Sequence, residues 1–136
     1  MDFTKAIAIA ASGLRAQAGR MRIISENIAN ADSTAPAAGG DPYRRRIVTF
    51  TSQLDRELDA RVVGNGRARP DMSEFQSKYQ PSHPAADAKG YVKYPNVNSL
   101  VELTDMREAQ RSYEANMNVI SAARRMVQRT LDILRA

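Results

Sequence analysis

Residues 98–136 read NSLVELTDMREAQRSYEANMNVISAARRMVQRTLDILRA. Leu103, Met106, Gln110, Tyr113, Met117, Ile120, Arg124, Val127, Leu131 and Leu134 fall at alternating steps of three and four, which places them on one helix stripe of 3.5-residue period. The pattern predicts one long helix with Asn98 or Ser99 as N-cap. Glu102 stands in its first turn, where a carboxylate suits the positive end of the helix. Nothing breaks the pattern before the last residue. At the other end of the chain Phe3, Ile7, Ala10, Leu14, Gln17, Met21, Ile24, Ile28 and Ala31 alternate in the same way and predict a helix over residues 3–30.

The segment between them has a different chemistry. Residues 32–97 hold all six prolines and six of the eight aromatic residues, so the long helical period has no room there. Arg45-Arg46-Ile47-Val48-Thr49-Phe50 has the β-branched and aromatic character of a strand, and Arg61-Val62-Val63 before Gly64-Asn65-Gly66 predicts a strand entering a tight turn. Pro81, Pro84 and Pro95 predict irregular or extended chain around them. The expected fold class is mainly α with a small β-rich insert, divided into 1–31, 32–97 and 98–136. Two such helices make one layer with a single seam. That is little burial to offset the entropy of ordering them, so the ends are expected to be mobile in the isolated subunit and ordered in an assembly.

The junction Ser25–Thr34, SENIANADST, interrupts the first stripe with two amides. Asn27 and Asn30 are three residues apart and share a helix face. There their side chains can bond the free carbonyls of the helix end or a neighbouring chain.

Composition excludes several functions. The 136 residues contain no cysteine and a single histidine, His83, so thiol catalysis and a nitrogen- or sulfur-ligated metal site lack their residues. Ser82 and His83 are neighbours on an extended stretch and point to opposite sides, which is not a triad. Asp105, Glu108 and Asp132 read as a solvated helix flank, and the glycine pairs lack the Lys-Ser/Thr of a phosphate loop. No cofactor is expected. No apolar run approaches the roughly 20 residues that span a bilayer. Lys5 before Ala6–Ala11 imitates a signal peptide, but the run is short and the helical pattern continues through it, so the start is read as mature protein.

The net charge is +5. Residues 1–31 carry four positive and two negative groups, residues 32–95 ten and eight, and residues 96–136 six and five, so no single segment concentrates the excess. A small basic nucleic-acid-binding protein, the reading from a different class, requires its cations on one surface. The cluster Tyr43-Arg44-Arg45-Arg46 places alternate arginines on opposite sides of a strand, with Asp41 beside it. No nucleic acid is expected as partner.

Several strings together resemble a known family. They are Ala11-Ser-Gly-Leu-Arg-Ala-Gln17, Asn27-Ile-Ala-Asn30-Ala31, Gly40-Asp-Pro42-Tyr43-Arg44-Arg45, Pro81-Ser-His83-Pro84, Gly90-Tyr91-Val92, Tyr94-Pro95-Asn96-Val-Asn98, Arg111-Ser-Tyr-Glu-Ala-Asn116 and Ala123-Arg-Arg-Met126. In order and spacing they resemble the axial proteins of the bacterial flagellum, the rod and hook subunits. The Asn-Ile-Ala-Asn element is common to that family. The Pro-Ser-His-Pro, Gly-Tyr-Val and Tyr-Pro-Asn-Val-Asn series selects a proximal-rod member over a sister rod subunit. Residues 61–78 match poorly.

The resemblance implies a structural subunit, not an enzyme, that polymerises into the hollow, torque-transmitting shaft of the basal body. Its implied partners are further copies, other rod proteins, the inner-membrane ring or export-gate adaptor, the distal rod, and the type III apparatus that exports such chains without a cleaved signal. Its implied fold pairs the terminal helices as an antiparallel coiled coil in the rod. In that arrangement Ile7, Leu14, Met21, Ile24 and Ile28 would pack with Met106, Tyr113, Met117, Ile120, Val127 and Leu131 of the same and adjacent subunits.

Overall fold

A computed structural model describes residues 2–135. Two long helices, α1 (Phe3–Ala29) and α2 (Ser99–Arg135), flank six short strands. The strands are β1 (Arg46–Ile47), β2 (Phe50–Asp55), β3 (Ala60–Asn65), β4 (Arg69–Pro70), β5 (Gln76–Tyr79) and β6 (Tyr91–Tyr94). They form three antiparallel pairs, β1 with β4, β2 with β3 and β5 with β6. The expected mainly α fold with a small β-rich insert is what the chain adopts.

Both helices begin on side-chain caps. Asp2 Oδ1 accepts from the amides of Thr4 and Lys5 at 3.0 and 3.3 Å. Asn98 Oδ1 accepts from Leu100 and Val101 at 3.0 and 3.4 Å, which makes Asn98 the N-cap of α2. With neither glycine nor proline after residue 95, α2 runs 37 residues.

Two strand expectations need correction. The run Arg45–Phe50 is not one strand but two, because Arg46–Ile47 pairs with Arg69–Pro70 while Phe50 opens the pairing with β3. The hairpin turn does not lie at Gly64-Asn65-Gly66, for β3 continues through Asn65 opposite Phe50. It lies at residues 56–59. There Asp55 Oδ1 accepts from the amides of Glu57 and Leu58, and Asp59 takes the left-handed conformation at φ 46° that aspartate tolerates.

The chain divides into two compact units, Met1–Met21 with Thr49–Arg67 and Arg107–Ala136, and Arg22–Val48 with Ala68–Met106. In the first unit α1 has neighbours on two sides. The β2–β3 hairpin meets it where Ser12 Oγ accepts from the Val63 amide at 3.1 Å, where Asn65 rests on Gly19, and where Lys5 stands 3.9 Å from Asp59. Helix α2 meets it where a Cβ on Gly13 would stand 2.8 Å from Asn116 Nδ2, and where Arg20 pairs with Glu108 at 3.3 Å. Higher numbers on α1 meet lower numbers on α2, so the two segments run antiparallel. Ala10, Ala16, Ala109 and Ala123 are buried, so small side chains bring these elements close. The expectation of mobile ends counted one seam only. The hairpin gives α1 a second covered side, whereas every described residue of α2 from Arg124 on is exposed.

In the second unit, Val92, Pro95 and Val97 form the core with Ala35, Pro42 and Ala85. Gly90 sits at φ 82°, and an added Cβ would stand 2.9 Å from the Tyr79 ring, so glycine alone fits where β6 begins.

Candidate assembly surface

The two heptad stripes stand one residue away from the positions at which the helices meet inside the subunit. On α1 the contacts with α2 are made at Gly13, Arg20 and Asn27, each preceding Leu14, Met21 and Ile28 by one. On α2 the buried residues are Glu102, Ala109 and Ala123, with Asn116 at the same spacing, again one before Leu103, Gln110, Met117 and Arg124. One residue is about 100° of helix rotation. The stripes therefore lie beside the internal contact, the α2 stripe largely open to solvent and the α1 stripe partly covered. Ile24 is buried; Ile7, Leu14, Met21, Ile28, Met106, Tyr113 and Ile120 are half-buried; Met117, Val127 and Leu131 are exposed. Near the end of α2, Ile133 and Leu134 are 75% and 77% exposed, large apolar side chains that the described residues leave mostly uncovered.

Of the motif residues, Asn27, Tyr43 and Asn96 take part in a polar centre of the second unit, whereas Asn116 lies in the first unit against Gly13. Asn27, 1% exposed, uses all four of its hydrogen-bonding positions. Nδ2 donates to the Arg46 carbonyl at 2.9 Å and to Glu102 Oε2 at 3.1 Å; Oδ1 accepts from Tyr43 Oη at 2.9 Å and the Arg46 amide at 3.0 Å. Burial pushes the Tyr43 hydroxyl above its ordinary pKa. Asn27 is thus no helix terminator, which corrects the shared role expected for the two amides. Asn30 does fill that role, donating to the Glu26 carbonyl at 2.8 Å.

Glu102 is equally buried and accepts from Arg45 Nε at 2.6 Å. Arg45 also meets Asp71 at 3.3 Å and Asp105 at 3.7 Å. Burial pulls the Arg45 pKa down, but the carboxylates of Glu102 and Asp71 outweigh it, and the net shift is upward. The flank expected to be solvated therefore contributes Asp105 to this centre, while Glu108 pairs with Arg20 in the other unit. Asn96 Oδ1 accepts from the Arg45 amide at 2.8 Å, and its Nδ2 donates to the Asp71 carbonyl at 3.0 Å.

Each arginine of the triple run has its own destination. Arg44 donates to the carbonyls of Asp71 and Ser73 and lies 4.1 Å from the centre of the Phe75 ring; Arg46 pairs with Glu26 at 3.1 Å. Each of the three cations thus has a partner within the chain, with Arg46 at the surface.

Pro81 and Pro84 are exposed on the β5–β6 loop, and His83 Nδ1 accepts from the Ala85 amide at 3.1 Å, a turn role. Tyr91 packs edge-on against Tyr79 at 5.3 Å. Among the described residues no three His, Cys, Asp or Glu side chains group to hold a metal ion, and the carboxylates that do gather surround a guanidinium.

Sequence reasoning missed Glu102, Arg45 and Asp71. One signal was present. Glu102, Ala109, Asn116 and Ala123 repeat every seven residues with small or polar side chains, a second seam hidden beside the apolar one.

Long helices at both ends, with large apolar side chains that the subunit leaves exposed along α2, fit a structural subunit that packs with others. A family model described as "Flagella basal body rod protein" matches residues 7–35, and one described as "Flagellar basal body rod FlgEFG protein C-terminal" matches residues 88–133. A flagellar basal-body rod protein FlgC of Agrobacterium fabrum strain C58 is 52% identical over 94% of this chain and 92% of its own. FlgC of Escherichia coli O157:H7 is 41% identical over 92% of each chain, and that of Bacillus subtilis strain 168 is 37% identical over 92% of this chain and 93% of its own. The chain belongs to the FlgC family of flagellar basal-body rod proteins and is a non-enzymatic structural subunit of that rod. As a rod protein it assembles with other flagellar rod proteins, and none of its described helices is long and apolar enough to cross a membrane.

Proposed function

We propose that the subunit builds the proximal rod through the two heptad stripes. Met117, Val127 and Leu131 of α2, with Ile7, Leu14, Met21 and Ile28 of α1, pack against the helices of neighbouring copies and other rod proteins, while the β-rich segments make lateral polar contacts. The observation that carries this reading is the one-residue offset. On α2 the small and polar side chains of Glu102, Ala109, Asn116 and Ala123 serve the contact inside the subunit, while Met117, Val127 and Leu131 beside them stay exposed. A shaft that transmits torque needs many simultaneous contacts that do not slip, and interdigitated heptads supply them. On the same reading the rod touches an inner-membrane ring or export-gate adaptor below and the distal rod above. The chain reaches its place unfolded through the type III apparatus without a cleaved signal.

Leu131→Asp is the direct test, because that side chain is 45% exposed in the subunit. A charge in the desolvated seam has no partner. The variant is expected to be exported at the normal level and to leave rods incomplete and cells non-motile. Normal motility would refute the assignment of the stripe.

A further inference from the structure

The pair Asn65-Gly66 does not make the hairpin turn, yet of the seven asparagines it alone is followed by glycine. A glycine amide carries no side chain to shield it, so an Asn-Gly bond is the place where a chain most readily closes on its own side-chain amide. The fold acts on both halves of that reaction. The Gly66 amide, the attacking group, donates a hydrogen bond to the Thr49 carbonyl at 2.8 Å. Asn65 lies in β3 paired opposite Phe50, which holds its backbone extended. Its Nδ2 rests on the bare backbone of Gly19, where a Cβ would collide with it.

We infer that Asn65-Gly66 is a succinimide-forming modification site that the folded hairpin holds shut. When the base of the hairpin opens, the Gly66 nitrogen bonds to Asn65 Cγ, the Cγ–Nδ2 bond breaks, and ammonia leaves with the amide proton. Water then opens the five-membered ring at either carbonyl and leaves aspartate or isoaspartate. Water is the one co-reactant and nothing is oxidised or reduced. Either product sets a carboxylate against Gly19 in place of an amide. Isoaspartate also lengthens the backbone by one methylene, which breaks the register of Asn65 with Phe50 and of Gly66 with Thr49. The pair thus records the time that a subunit spends with this hairpin open, and converted chains lose the hairpin's seat on α1.

The test incubates the full chain at one neutral pH, folded and in urea, and follows each asparagine by peptide mass spectrometry with isoaspartate detection. The site is expected to convert in urea faster than the six other asparagines, and to convert at least about tenfold more slowly in the folded chain. Equal rates in the two states would overturn the protective role of the hairpin, and slow conversion of Asn65 in urea would overturn the site itself. Asn65→Gln, which keeps an amide but must close a less favourable six-membered ring, is expected to fold normally and stay unconverted. Amide exchange then reads the consequence. Converted wild-type chain is expected to lose protection in residues 50–65 relative to fresh chain, and unchanged protection would overturn the loss of the hairpin's seat.

Discussion

Replacing Arg45 by methionine keeps most of the side chain's length and removes its charge, which takes from Glu102 the one cationic partner it has among the described residues. Glu102 has its side chain 1% exposed and accepts two hydrogen bonds, one from Arg45 at 2.6 Å and one from Asn27 at 3.1 Å. Without the guanidinium its charge stays buried with a single neutral donor. Breaking a buried pair in this way costs about 3–5 kcal/mol. The reverse change is milder. Glu102→Gln leaves Arg45 with Asp71 and Asp105, and the Arg45 side chain, 21% exposed, retains some water, so about 1.5–3 kcal/mol is expected for the lost charged bond. The double variant should be less destabilised than the sum of the two, because nothing charged is then stranded, with a coupling of about 1–3 kcal/mol. Urea unfolding of the full chain, followed by circular dichroism, measures all three. Amide exchange in residues 43–47 and 99–106 locates the loss. If Arg45→Met lies within about 0.5 kcal/mol of wild type, as an ordinary surface change does, the polar centre is not what holds this unit together.

Three further outcomes rest on the same contacts. Asn27→Ala strands the Tyr43 hydroxyl, both main-chain groups of Arg46 and one oxygen of Glu102, and is expected to cost about 3 kcal/mol or more, whereas Asn30→Ala loses one terminal bond and should cost about 1 kcal/mol; equal losses in urea unfolding would refute the distinction. The Tyr91, Lys89 and Gly90 amides hold the Asp87 carboxylate below its ordinary pKa of 3.8, so it stabilises the 87–91 turn above that value, and the contribution disappears as pH falls through the lower folded-state value. An acid titration followed by amide NMR should show this turn opening in that window, and Asp87→Asn should remove the pH dependence. In the isolated subunit, amides of residues 124–135 should exchange almost as freely as in an unfolded peptide while those of residues 12–27 stay protected; uniform protection along α2 would contradict the loss of cover beyond Ala123.

The helices were legible because their signal is local and repeated. Leu103 to Leu134 states its period many times over, and Asn98 with Glu102 marks the start. The hairpin turn was misplaced because Gly64-Asn65-Gly66 carries the strongest turn composition, while the real turn rests on Asp55 and on Asp59 in a conformation that composition associates with glycine. The polar centre was illegible for another reason. Arg45 and Glu102 are 57 residues apart, and each has a sufficient local explanation, one as surplus charge and the other as a helix-end carboxylate. Only the fold brings them together. The two amides of SENIANADST were visible as unusual, but their roles separate only once Arg46, Tyr43 and Glu102 stand around Asn27 and none of them around Asn30.

The chain has no cysteine, so Leu131→Cys gives it a single thiol on the open stripe. The decisive measurement compares the rate at which a maleimide labels that thiol in the isolated subunit and in purified basal bodies. The account predicts rapid labelling of the free subunit and labelling at least about tenfold slower in the rod, where a neighbouring helix covers the site. Equal rates would mean that α2's outward stripe faces solvent in the finished shaft, and would contradict its role in assembly.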